Sequence, residues 1–308
     1  VQFSLESTFP RAGVYYLKNA VVVAPDGWVQ TSNGCWLGEC SWFGTCDSRW
    51  SPVIPQGTTE HLAGETLVLA SDWAAGNYGH FLLDVLPRVD LIERAGWRLD
   101  NFDHILAPLH LKSFAPLLEQ LGVPLNRVRC CANVAGYTCE RLVAPTFPGV
   151  RRSLPPWGAA FLRARAAKQA SESGNMRRLY IPRDTTRRII NEEELIERLV
   201  SYGFEIFRPA TSQEDPRQAF AGAEVVVGAH GAGLADIVFA PKSSLLVEIV
   251  PSDHIFPYWF CSAASAGVRH VGAVAESLGH RGRDAWGPSP FDIEAPIELI
   301  ERALDTFT

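Results

Sequence analysis

From residue 178 to residue 306 the chain alternates short apolar runs with amphipathic segments, and this alternation constrains the fold more than any other feature. The runs RLYIPR (178–183), FEIFRP (204–209), AEVVVGA (223–229), SLLVEIV (244–250) and VRHVGAV (268–274) have strand length and are bounded by turn residues. Segments with helical spacing follow them at 191–202, at 212–221, from about Ala232, at 256–266 and at 294–306. Parallel strands need a crossover long enough to return to the same edge, and a helix supplies it. The expectation is an α/β, Rossmann-like, doubly wound sheet, whose ligand crevice lies at the carboxyl ends of its strands.

The rhythm also appears earlier, from Leu67 onward: LVLAS, an amphipathic segment at 77–95, a run at 102–107, a helical pattern at 112–121, and short runs near 127–130 and 141–146. Between 147 and 178 lie PGVRRSLPPW and a segment rich in Arg, Lys and Ala, which read as a connector. The chain therefore divides into residues 1–150 and 151–308. Within the first part, 1–65 reads as an irregular, β-rich extension crowded with Trp28, Trp36, Trp42 and Trp50, and 66–150 as Rossmann-like. A chain of 308 residues that is 47% hydrophobic has the material for two such cores.

The charge balance narrows the partners. Lys and Arg number 28 against 34 Asp and Glu, a net charge of −6, so no global basic field gathers nucleic acid or anionic lipid. No apolar stretch has the length of a membrane helix, so no integral membrane segment is expected. The seven cysteines, Cys35, Cys40, Cys46, Cys130, Cys131, Cys139 and Cys261, are an odd count spread over a long chain, which argues for a reducing compartment, and they form no CxxC pair, which argues against zinc. No GxSxG elbow is present either, which argues against an α/β-hydrolase.

Any anion must then be met locally. In VVVGAHGAGLADIVF an apolar strand stops at Gly228, and the turn His230-Gly231-Ala232-Gly233 opens the next helix. Small residues let the backbone approach a ligand, and N–H groups at a helix start favour phosphate. The turn is neither GxGxxG nor a Walker loop. Arg183 ends the preceding strand, and Arg187 and Arg188 follow it, of which at most one is expected to face the crevice. Asn191 and Glu194 have capping-box spacing. Glu248, at the end of LLVE, is a candidate for ribose hydroxyls or an ordinary loop acid. No Asp-X-Asp pair occurs, so the usual acidic handle for a metal on a diphosphate is missing and no metal is expected.

In NYGHFLLDVLPRV, the i, i+4, i+8 spacing places His80, Asp84 and Arg88 on one face of a helix, near its entrance at Asn77. His80 and Asp84 are a candidate base and its orienting partner, in either order. Asn77 and Arg88 join them on the acceptor side.

These segments resemble the family 61 glycosyltransferases. The resemblance is carried by Arg183 with R-R-I-I-N-x-x-E-L at 187–195, by AGAEVVVGAHGAGLADIVF at 221–239, by VEIVPSDHIFPYWFCSAASAGVRHV at 247–271, and by the N-Y-x-H-F-x-x-D-x-L-P segment from Asn77 to Pro87. After the turn this chain reads ADIVF where many members carry Thr-Asn or Thr-His. The resemblance implies a GT-B architecture of two facing Rossmann-like domains and transfer with inversion from a nucleotide sugar, a UDP-sugar, with no further cofactor. The acceptor is a glycan or glycoconjugate, as in surface polysaccharide synthesis. Arg183, Arg187, Glu248 and the His230–Gly233 turn fall on the donor side, and His80 and Asp84 on the catalytic, acceptor side. A compact chain without an evident anchor or secretory region is expected to be a bacterial enzyme of the cytoplasm or the inner membrane face. A nucleotide-sugar epimerase or hydrolase, and a non-catalytic nucleotide-sugar or glycan-binding protein, are the alternatives.

Overall fold

The computed structural model describes residues 11–41, 57–71, 73–131, 134–149, 154–168, 176–279 and 290–307. Trp42, Trp50, Cys46 and parts of the expected connector lie outside these residues. The chain separates into two compact units with a break after Ala166. The sequence division at 150 differs because the helix Pro156–Arg165 belongs to the N-terminal unit. Its Arg165 pairs with Glu93 at 3.0 Å and donates to the carbonyl of Leu121 at 3.1 Å.

The N-terminal unit holds a six-stranded sheet. Its strands are β1 (Val14–Val23), β2 (Trp28–Gln30), β3 (Thr59–Val68), β4 (His104–Leu106), β5 (Val128–Arg129) and β6 (Gly136–Pro145), in the order β2-β1-β6-β3-β4-β5. From β6 through β5 the neighbours are parallel, as the alternation predicts. The β-rich extension expected over 1–65 is corrected: β1 is a full member of this sheet, antiparallel to β6 from Val14↔Pro145 to Val23↔Gly136. Ala20, Val22, Leu62, Val68, Leu106 and Leu142 form a buried core cluster with Cys40, Cys131 and Cys139. Burial pushes the thiols of Cys40 and Cys131 up to about 12 and that of Cys139 to about 11.

The C-terminal unit holds a second six-stranded sheet, formed by β7 (Arg177–Ile181), β8 (Glu205–Ile206), β9 (Ala223–Ala229), β10 (Leu245–Pro251), β11 (Arg269–Ser277) and β12 (Ile293–Glu294). The order is β12-β11-β10-β9-β7-β8, all parallel except β12. Read by chain position, the parallel strands follow the 2-1-3-4-5 order of flavodoxin-like sheets, whose direction of winding reverses between β7 and β9. Strands β9 and β10 are buried almost throughout, which explains their unbroken apolar sequences. FEIFRP contracts to the two exposed edge residues of β8. Among the helices, Tyr258–Ala266 stops at Gly267, whose φ of +74° gives the left-handed turn that ends a helix.

Candidate active site

In the N-terminal unit, Asn77 caps a short helix, its side chain accepting from the N–H groups of Gly79 at 2.9 Å and His80 at 3.3 Å. Residues Phe81–Val85 then widen into a π turn, with Leu86 N–H donating to the carbonyl of Phe81. Pro87 follows, a residue with no N–H to continue the ladder. Such π turns occur often at functional sites. His80 and Asp84 meet across this turn, Nδ1 to Oδ2 at 2.8 Å, with side chains 11% and 5% exposed. An ionised carboxylate accepts and cannot donate, so with Asp84 in that form the hydrogen lies on Nδ1.

Arg88 follows the π turn at the start of the next helix, Arg88–Arg94. It is fully buried, its Nη1 donating to the carbonyl of Ala70 at 2.9 Å and its Nη2 to that of Pro145 at 2.8 Å, with the guanidinium 5.1 Å above the ring of Phe147. Arg88 ties the chain after β3 to the end of β6, a structural role. Asn77 likewise has a capping role that accounts for its side chain.

In the C-terminal unit, Arg183 and the His230 turn are brought together at the reversal point of the sheet. Arg183 Nε donates to the carbonyl of Thr186 at 2.7 Å, Nη2 to Thr186 Oγ1 at 3.2 Å, and Nη1 to the carbonyl of His230 at 3.3 Å. Those bonds do not exhaust the donors of a guanidinium. Burial lowers the pKa of Arg183 from its ordinary value. Gly231 is needed for closeness: a Cβ there would lie 1.5 Å from Arg183 Nη1. Gly228 is needed for packing, since a Cβ would lie 2.9 Å from Leu234 Cδ2 and 3.0 Å from the carbonyl of Ile181. Gly233 sits against Ile181 in the same way. The helix opened by the turn, Ala232–Phe239, is a 3-10 helix.

The arginines of R-R-I-I-N separate, as their adjacency requires. Arg187 is buried in the left-handed backbone region at φ +61°, uncommon for a residue with a side chain. Arg188 turns outward to pair with Asp292 at 2.7 Å. The expected capping box is absent: Asn191 makes no cap bond and instead pairs with the backbone of Ala295, accepting at 2.8 Å and donating at 3.0 Å.

Glu248 is also corrected. It is 1% exposed, and both oxygens are taken, Oε1 by His230 Nδ1 at 2.5 Å and Oε2 by His270 Nε2 at 2.6 Å. Glu248 therefore sits inside a buried strand and not in a loop. Burial raises the pKa of this carboxyl, but the hydrogen bonds from the two imidazoles outweigh it and hold the group below its ordinary value. His230 also packs against His254, with ring centroids 5.1 Å apart, and against Tyr258 at 5.9 Å. His270 was not singled out by the sequence reading. Its partner is 22 residues away on a neighbouring strand, and only the register joins them. Among the described residues, no group of three or more His, Cys, Asp or Glu side chains is arranged to hold a metal ion, and no helix is long and apolar enough to cross a membrane.

The family model described as Glycosyltransferase 61 matches residues 78–247, a span that contains His80, Asp84, Arg183 and the His230–Gly233 turn. The chain belongs to glycosyltransferase family 61. Similar curated proteins come from Oryza sativa subsp. japonica. They include an alpha-1,3-arabinosyltransferase, 35% identical over 79 residues that make up 24% of this chain and 14% of that protein. A beta-1,2-xylosyltransferase is 30% identical over 99 residues, 31% of this chain and 21% of that protein. The match to these family 61 relatives thus spans only a small part of their length. A solved phosphoglycerate oxidoreductase from Vibrio cholerae aligns at 13% identity over 81% of this chain and all of that one, with a TM-score of 0.23.

Proposed function

We propose that this family 61 chain is a metal-independent, inverting glycosyltransferase of GT-B type that moves a sugar from a UDP-sugar to a glycan or glycoconjugate acceptor, as in surface polysaccharide synthesis. The observation that carries the reading is the contact of Arg183 with the His230–Gly231 turn where the winding of the C-terminal sheet reverses. A guanidinium beside a helix-opening turn offers charge and N–H donors to a diphosphate, the work a metal does elsewhere.

In this reading the acceptor hydroxyl loses its hydrogen to His80 Nε2 while Asp84 holds Nδ1–H. The acceptor oxygen bonds to the anomeric carbon on the face opposite the diphosphate. The carbon–oxygen bond to phosphate breaks, its electron pair leaves with UDP, and the configuration inverts.

The test begins with UDP binding to the full chain, followed by turnover of UDP-pentoses, suggested by the relatives' names, with a panel of glycan acceptors and EDTA present. Arg183→Ala is expected to weaken UDP by about 1.5 to 3 kcal/mol, the value of a charge-assisted contact. Unchanged UDP affinity in a folded Arg183→Ala variant overturns the donor site, and loss of turnover in EDTA overturns metal independence.

A further inference from the structure

Glu248 stands in a row across three strands. Its register partners are Gly228 on β9 and Gly272 on β11, neither of which has a side chain. His230 lies two residues beyond Gly228, and His270 two residues before Gly272. A two-residue step returns to the same face of a strand, so each imidazole reaches the carboxylate diagonally past a glycine. The side chains of His230, His270 and Glu248 are 5%, 4% and 1% exposed. An ionised carboxylate has no hydrogen to give, so both nitrogens that face it are donors. His230 therefore carries a hydrogen on Nδ1, and its Nε2 points away from Glu248.

We propose that His270 is a positioning residue for His230: it holds Oε2 of Glu248 so that Oε1 fixes the tautomer and ring plane of His230, whose Nε2 then meets a phosphate oxygen at the 230–233 turn. Protonated on both nitrogens, His230 donates Nε2–H to that oxygen, and Glu248 balances the added charge. The phosphate part of this inference rests on the reading of the turn as the diphosphate site. The fixed tautomer does not.

Two measurements on the full chain test it: ¹⁵N spectra of the imidazoles, which report the protonated nitrogen of each histidine, and calorimetric titration with UDP. In the wild type, His230 is expected to be protonated on Nδ1. His270→Gln keeps a donor at the reach of Nε2 and is expected to preserve that state, with UDP affinity within about threefold of wild type. His270→Leu keeps bulk but loses the donor, and is expected to give mixed tautomers of His230 and about tenfold weaker UDP binding, the scale of one net hydrogen bond. A wild-type His230 protonated on Nε2 alone overturns the inference, as does a His270→Leu variant with unchanged tautomer and affinity. If His270→Leu does not fold, the wild-type spectrum and the His270→Gln variant decide, and a lost Nδ1 proton or tenfold weaker UDP in the latter overturns it. A wild type that binds no UDP overturns the phosphate reading, while the unliganded spectra still decide the role of His270.

Discussion

Arg183 and Gly231 approach so closely that no methyl group fits between them, the guanidinium Nη1 standing 1.5 Å from where a Cβ on the glycine would be. The φ of Gly231 is 163°, extended backbone open to any residue, so closeness alone explains the glycine. Gly231→Ala is therefore expected to push the tip of Arg183 off the turn and weaken UDP by roughly tenfold. The obstacle is the end of a flexible side chain, so the melting temperature should hardly move. UDP affinity equal to wild type in the alanine variant would sink the idea that this contact serves the ligand.

The His80–Asp84 pair is expected to act on turnover and not on donor binding. His80→Ala and Asp84→Asn should each lower kcat by ~10² to 10⁴, the usual range for a lost general base or its support. UDP affinity should stay within a few-fold. If both variants turn over near the wild-type rate, the pair is only a buried polar contact on its helix.

For Arg88 the expectation is the reverse. Removing a buried guanidinium leaves carbonyls of Ala70 and Pro145 without its donors, a loss on the order of 1.5 to 3 kcal/mol for each charge-assisted bond. Thermal or urea unfolding of Arg88→Met should show this drop. UDP affinity of the folded fraction should be unaltered, and a variant as stable as wild type refutes the anchoring role.

Acid should expose Glu248. Its pKa is lower in the folded protein than the ordinary 4.5, so the unfolded chain binds the proton more readily. The stability this contributes is fully present above about 4.5 and is lost as pH falls through the folded value. Melting curves of wild type and Glu248→Gln should therefore converge as pH falls below about 4.5. A gap that stays constant with pH contradicts the assignment.

The sequence was most legible where one physical effect dominated. AEVVVGA forms β9 over 223–229 because a strand buried on both faces must be apolar throughout, and a run of that kind has few other uses. The turn after it was legible as backbone that must come close to something, although that something includes Arg183 itself. Glu248 was misread because its partners are set by strand register, which no local pattern encodes. Asn191 has the spacing of a cap, yet its amide is satisfied by Ala295, more than a hundred residues away. VYYLKNAVVV gives no hint that its partner strand lies beyond residue 135.

That last pairing bears on how the protein is made. β6 is the seam between β1 on one side and β3 on the other, and it is translated after both. As the chain leaves the ribosome, β1 and β2 therefore wait with one long edge open until Gly136–Pro145 has emerged, and no ordered growth from the N-terminus can close the sheet. During that interval an unpaired, largely apolar strand edge is open to other nascent chains, so the hazard of misassembly lies between the emergence of β1 and that of β6, before the C-terminal unit exists.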